Sequence, residues 1–74
     1  MERVKPETKS ELQKIINETI EKYGTNCDLN FIDTSKIRDM SLLFYKSNFN
    51  GDISRWNVSN VVDMTCMFKY SKFN

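Results

Sequence analysis

The sequence predicts an α+β protein in which an N-terminal amphipathic capping helix is followed by two coils of a repeat solenoid. Three observations carry that expectation. Apolar residues recur at helical spacing between Leu12 and Ile20. From about residue 27 the chain contains two ungapped copies of a 24-residue motif. Between these parts the acids change: every acid before Cys27 is Glu and every acid from Asp28 onward is Asp. Glu suits helix interiors and Asp suits caps and turns, so the boundary falls near Gly24. Residues 1–8 are read as a tail, 9–24 as the helix and 27–74 as the repeats, all one domain.

In the helix, Leu12, Ile15, Ile16 and Ile20 form one apolar face, which Tyr23 extends. Thr8 and Glu11 fit a capping box, and Gly24 sits where a left-handed C-terminal cap belongs. The spacing predicts a helix from Lys9 to Tyr23. Lys14, Asn17, Glu18, Glu21 and Lys22 occupy the opposite face, with Glu18 and Lys22 in favourable i, i+4 order. A solvated face is the expectation there.

The repeats are LNFIDTSKIRDMSLLFYKSNFN, residues 29–50, and ISRWNVSNVVDMTCMFKYSKFN, residues 53–74. Seven positions are identical: Ser35/Ser59, Asp39/Asp63, Met40/Met64, Phe44/Phe68, Ser47/Ser71, Phe49/Phe73 and Asn50/Asn74. Leu29/Ile53, Ile32/Trp56, Ile37/Val61, Leu42/Cys66 and Leu43/Met67 keep apolar character. The period falls in the leucine-rich-repeat range of roughly 20–29 residues, hence the leucine-rich-repeat-like solenoid. Equivalent residues should then stack, placing Met40 near Met64, Phe44 near Phe68 and Phe49 near Phe73. Each repeat should hold an extended piece (Leu29 to Thr34, Ile53 to Val58), then a short helical turn (Asp39 to Phe44, Asp63 to Phe68). Connecting turns should span Asn48 to Gly51 and Tyr70 to Asn74. Asp39 and Asp63 read as caps rather than an acid–base pair, and Cys66 as a small buried apolar residue.

The composition excludes several function classes. There is no histidine, so imidazole-based acid–base, nucleophile and zinc chemistry is out. No glycine-rich phosphate loop or nucleophile elbow is present. A net charge of +1 argues against general nucleic-acid or membrane-surface binding. The aromatic–lysine stretch Lys69 to Phe73 is too short to overturn that. Cys27 and Cys66 should be free thiols. The expectation is no enzyme, no cofactor and no metal.

Residues 49–68, FNGDISRWNVSNVVDMTCMF, closely resemble the repeat of the BspA-like leucine-rich-repeat surface-protein family of bacteria, including mycoplasmas. The resemblance covers about residues 27–74, and the helix resembles that family's N-terminal cap. It implies adhesion or other protein–protein contact without catalysis. Members usually carry many repeats and an export signal, whereas here there are two repeats and no apolar N-terminal segment.

With nothing after Asn74 to cap the second repeat, apolar surface should stay accessible there. The candidate partner-binding residues are Trp56, Val58, Val62, Met67, Lys69, Tyr70, Lys72 and Phe73. The expected partner is another protein, a nucleoprotein complex included, or a second copy joined through the uncapped C-terminal repeat as a homodimer. The leading expectation is a small stand-alone cytoplasmic inhibitor of bacterial or phage origin that occupies a partner's surface, for example an anti-CRISPR-type protein blocking an effector nuclease. The alternative is a fragment or degenerate relative of a BspA-like adhesin, at the cell surface.

Overall fold

The structure, a computed structural model, describes residues 3–72. Its one helix, α1, spans Lys9–Tyr23, the span predicted from the apolar spacing. Thr8 is extended and its hydroxyl accepts the Glu11 amide at 3.2 Å, satisfying one of the orphan donors of the first turn. The reciprocal half of the capping box is displaced by one residue, since the Glu11 carboxylate takes the Glu7 amide at 3.4 Å. Gly24 ends α1 with its amide on the Ile20 carbonyl, but at φ 95°, ψ 173° it is not the left-handed cap expected. That backbone region is open to little but glycine. Leu12 and Ile16 are fully buried against the first repeat, and Lys9 reaches the Ser41 carbonyl at 2.7 Å.

The α+β class is overturned, and with it the two leucine-rich-repeat-like solenoid coils. Among the described residues there is one helix and no sheet. Extended pairing is confined to three isolated parallel bridges: Val4 with Ile32, Asp28 with Asp52, and Asp39 with Asp63. The physical reason lies in the Asp and Asn positions. Asp28, Asp33, Asp39, Asp52, Asn57 and Asp63 each accept, on Oδ1, the amide two residues on, at 2.7–3.0 Å. Within the first half of each repeat these Asx-turns redirect the chain every five or six residues, too often for a strand to propagate there. Asp39 and Asp63 are therefore turn caps, as their residue type suggests.

The helical turns expected from Asp39 and Asp63 are also absent. Leu42, Lys46, Cys66 and Tyr70 have φ of 60°, 56°, 55° and 58°. A left-handed residue every fourth position cannot continue a right-handed helix. Residues 41–46 and 65–70 form overlapping turns instead. In the first repeat the Leu43, Tyr45 and Ser47 amides donate to the Met40, Leu42 and Phe44 carbonyls. The amides between them point the other way. Met40, Leu42, Phe44 and Lys46 donate to the Asp63, Thr65, Met67 and Lys69 carbonyls at 2.8–3.0 Å. The two repeats thus lie side by side, joined by backbone bonds at alternate residues. Every amide from Met40 to Ser47 is satisfied, that of Ser41 by Asp39.

The core lies between α1 and the first repeat and between the two repeats. Phe44 is its centre: its ring stacks on Phe49 at 5.0 Å, Trp56 at 5.9 Å and Phe68 at 5.6 Å. Leu29, Ile32, Ile37 and Met40 complete the first repeat's buried set. The expected proximity of Phe44 and Phe68 is present, whereas Phe73 lies outside the described residues. Position 42/66 is not core: Leu42 is half exposed and Cys66 partly exposed, because both sit at left-handed turn positions. Residues of the tail also join the fold, with the Val4 amide on the Phe31 carbonyl and the Asp33 amide on Val4.

Gly51 marks a close approach between repeats. A Cβ there would fall on the Cys27 carbonyl oxygen and lie 2.6 Å from Phe49 Cε1. The neighbouring amides of Asn50 and Asp52 hold this crossing through the Thr25 and Cys27 carbonyls. Gly51→Ala should lower stability by at least about 2 kcal/mol in urea titration, because both bonds are forced apart. Gly24→Ala has open space around it, so its expected loss of about 1–3 kcal/mol is purely conformational. Unchanged midpoints for both would show that neither backbone constraint exists.

Candidate protein-contact surface

The second repeat repeats the residue types of the first but lacks the cover that buries them. Met40 is fully buried, while its equivalent Met64 is 46% exposed. Phe44 is 1% exposed and Phe68 38%. Val58, Val62 and Tyr70 are also exposed, Val62 to 76%. These five exposed large apolar side chains on 24 residues make this repeat the candidate contact face.

The residues singled out from sequence divide cleanly. Val58, Val62, Lys69, Tyr70 and Lys72 lie on the exposed side of the second repeat. Trp56 and Met67 do not: they are 9% and 5% exposed and belong to the core. The Trp56 indole donates to the Leu29 carbonyl at 2.9 Å, so this side chain ties the second repeat to the first. Phe73 lies outside the described residues. Tyr70 packs edge-on against Tyr45, with ring centroids 6.0 Å apart, and the Lys69 ammonium lies 5.3 Å from the Tyr70 ring. Met64 and Phe68 were missing from the predicted surface. Their signal was present in the repeat itself, since the second copy covers Met40 and Phe44 of the first and so sets its own Met64 and Phe68 one layer further out.

The shifted aspartates of the turns do not form a proton-transfer pair. Asp33, Asp39, Asp52 and Asp63 are all held below the usual carboxylate range, chiefly by the amides and hydroxyls two residues downstream. Asp52 is the furthest displaced, to about 2, by the Ser54 amide and by contacts with Asn30 and the Ser54 hydroxyl. An acid–base pair needs two carboxyls driven apart, and these move together. Burial pushes the Cys27 thiol up, away from the reactive thiolate. The described residues contain no group of three or more metal-ligating side chains, and no described helix is long and apolar enough to cross a membrane. A hollow of about 350 Å³ between Arg3, Asp28, Asn30, Phe31 and Arg55 is open to solvent.

The carboxylate shifts make stability depend on pH. Each folded-state value lies below the unfolded one, so the stabilisation is complete above roughly pH 4 and is lost as the pH falls. For Asp52 the loss extends down to about pH 2. Asp52→Asn should keep the turn, as Asn57 does, and reduce the drop in thermal midpoint between neutral and acid pH. A drop identical to that of the parent chain would contradict this.

No curated protein and no solved structure matches the chain at a significant level. A family profile described as Mycoplasma protein of unknown function, DUF285, matches residues 10–74.

Proposed function

We propose a function from the premise that the chain belongs to the DUF285 family of Mycoplasma proteins of unknown function: it is a non-enzymatic protein-contact module that works through the bare face of its second repeat. The observation that carries this reading is the contrast between buried Met40 and Phe44 and their exposed equivalents Met64 and Phe68. A motif that is buried in one copy and open in the next is complementary to something shaped like the repeat that covers the first copy. The family match spans α1 from Ser10 and both repeats.

The residue-level likeness of FNGDISRWNVSNVVDMTCMF to BspA-like surface repeats supports an adhesive role as the finer reading. The Gly51 crossing and the Asx-turn at Asp52 give physical reasons for the Gly-Asp of that motif. No observation on this chain favours the narrower role of an inhibitor of an effector nuclease. Catalysis is not part of the proposal, because the carboxylates are engaged as turn caps and the Cys27 thiol is held protonated.

Val62→Asp is the test of choice, since Val62 is the most exposed of the five apolar side chains and its replacement leaves the core untouched. In affinity capture from a host extract it should reduce recovered partner at least about tenfold, consistent with loss of a central apolar contact. Lys14→Asp, on the polar face of α1, should leave recovery unchanged. Equal recovery with Val62→Asp and the parent chain, both folded by circular dichroism, would refute the assigned face.

A further inference from the structure

We propose that the corner formed by Tyr45 and Lys46 of the first repeat with Lys69 and Tyr70 of the second, and Lys72 alongside, is a docking site for an acidic peptide segment rich in Asp and Glu carboxylates. The corner adjoins the bare apolar face, sharing Tyr70 with it, and does not depend on it.

The bonds between the repeats assemble it. The Lys46 amide donates to the Lys69 carbonyl and the Lys72 amide to the Ser47 carbonyl, both at 3.0 Å. Lysines of both repeats are thereby brought together. Lys46 and Tyr70 hold equivalent left-handed positions, at φ 56° and 58°. The Tyr45 and Tyr70 rings meet edge-on, 6.0 Å between centroids. The Lys46 ammonium lies 5.4 Å from the Tyr45 ring centroid and the Lys69 ammonium 5.3 Å from that of Tyr70. These cation–π contacts draw both charges onto the aromatic pair. All five residues are exposed. Tyr45 and Lys46 stay exposed although the second repeat lies against the first, so the corner is a flank shared by both repeats.

The chemistry of the corner selects an anion. Among the described residues no carboxylate lies within ion-pair reach of Lys46, Lys69 or Lys72. The Tyr45 and Tyr70 hydroxyls have no protein hydrogen-bond partner there either, and each can donate to a carboxylate. A chain of net charge +1 thus concentrates uncompensated positive charge at one place. Such a patch attracts and selects partners of opposite sign. The same geometry disfavours single-stranded nucleic acid, which stacks its bases on open aromatic faces. Here an ammonium group lies over each ring, and the two rings are inclined at 60°. Carboxylates spaced along a peptide need no stacking face and can reach ammonium and phenol together.

Fluorescence anisotropy with a labelled polyglutamate peptide of about ten residues, in about 0.1 M salt, tests this. The peptide should bind the parent chain. Lys46→Glu combined with Lys69→Glu should weaken binding at least about tenfold. Lys14→Glu combined with Lys36→Glu makes the same change in net charge at exposed sites elsewhere and should weaken it less than about twofold. Tyr45→Phe with Tyr70→Phe keeps the rings and the charges, and loss of the phenol donors should cost at least about threefold. No binding of the peptide, equal loss with both lysine pairs, no loss in the phenylalanine variant, or tighter binding of an oligothymidylate of the same length would each overturn the proposal. Val62→Ser alters only the apolar face and should leave peptide binding unchanged, so the corner and that face can fail separately.

Discussion

The structure depends on one set of bonds: the four alternate amides of Met40, Leu42, Phe44 and Lys46 paired with the carbonyls of Asp63, Thr65, Met67 and Lys69. A chain of 74 residues has little core, and among the described residues neither repeat contains a helix or sheet able to satisfy its own backbone. Each segment closes half of its amides through internal turns and must send the other half to a neighbour. That requirement fixes the register between copies and brings Phe68 onto Phe44. It also leaves Met64 and Phe68 of the second copy partly exposed.

This arrangement is held against a conformational cost. Four of the described non-glycine residues sit at positive φ, each worth roughly 1–3 kcal/mol of strain. They occur at matched positions in the two repeats, so they belong to the motif rather than to chance. The alternation they impose is what turns successive amides to opposite sides. The Asx-turns do the complementary work at the other corners, where the chain changes direction without a left-handed residue.

Much of this was legible in the sequence. The bounds of α1 followed from the spacing of Leu12, Ile16 and Ile20 and from Thr8 and Gly24. The 24-residue identity placed Phe44 beside Phe68, and the change from Glu to Asp marked where turns replace the helix. The α+β class was not legible, because short apolar runs such as residues 53–58 suit a strand and a turn-rich path equally well. Nothing in Leu42 or Tyr70 announces a left-handed backbone, since neither is Gly or Asn. Trp56 and Met67 read as surface from sequence, where the second repeat carries no visible cover. In fact its inner side is covered by the first, and the indole of Trp56 hydrogen-bonds to it.

The most direct test of the account is through-hydrogen-bond scalar coupling, measured by NMR on isotopically labelled protein. The account predicts couplings from the Leu42 amide to the Thr65 carbonyl carbon and from the Lys46 amide to that of Lys69. Couplings from the Phe44 and Lys46 amides back to Met40 and Leu42, the signature of a helical turn within one repeat, would contradict it.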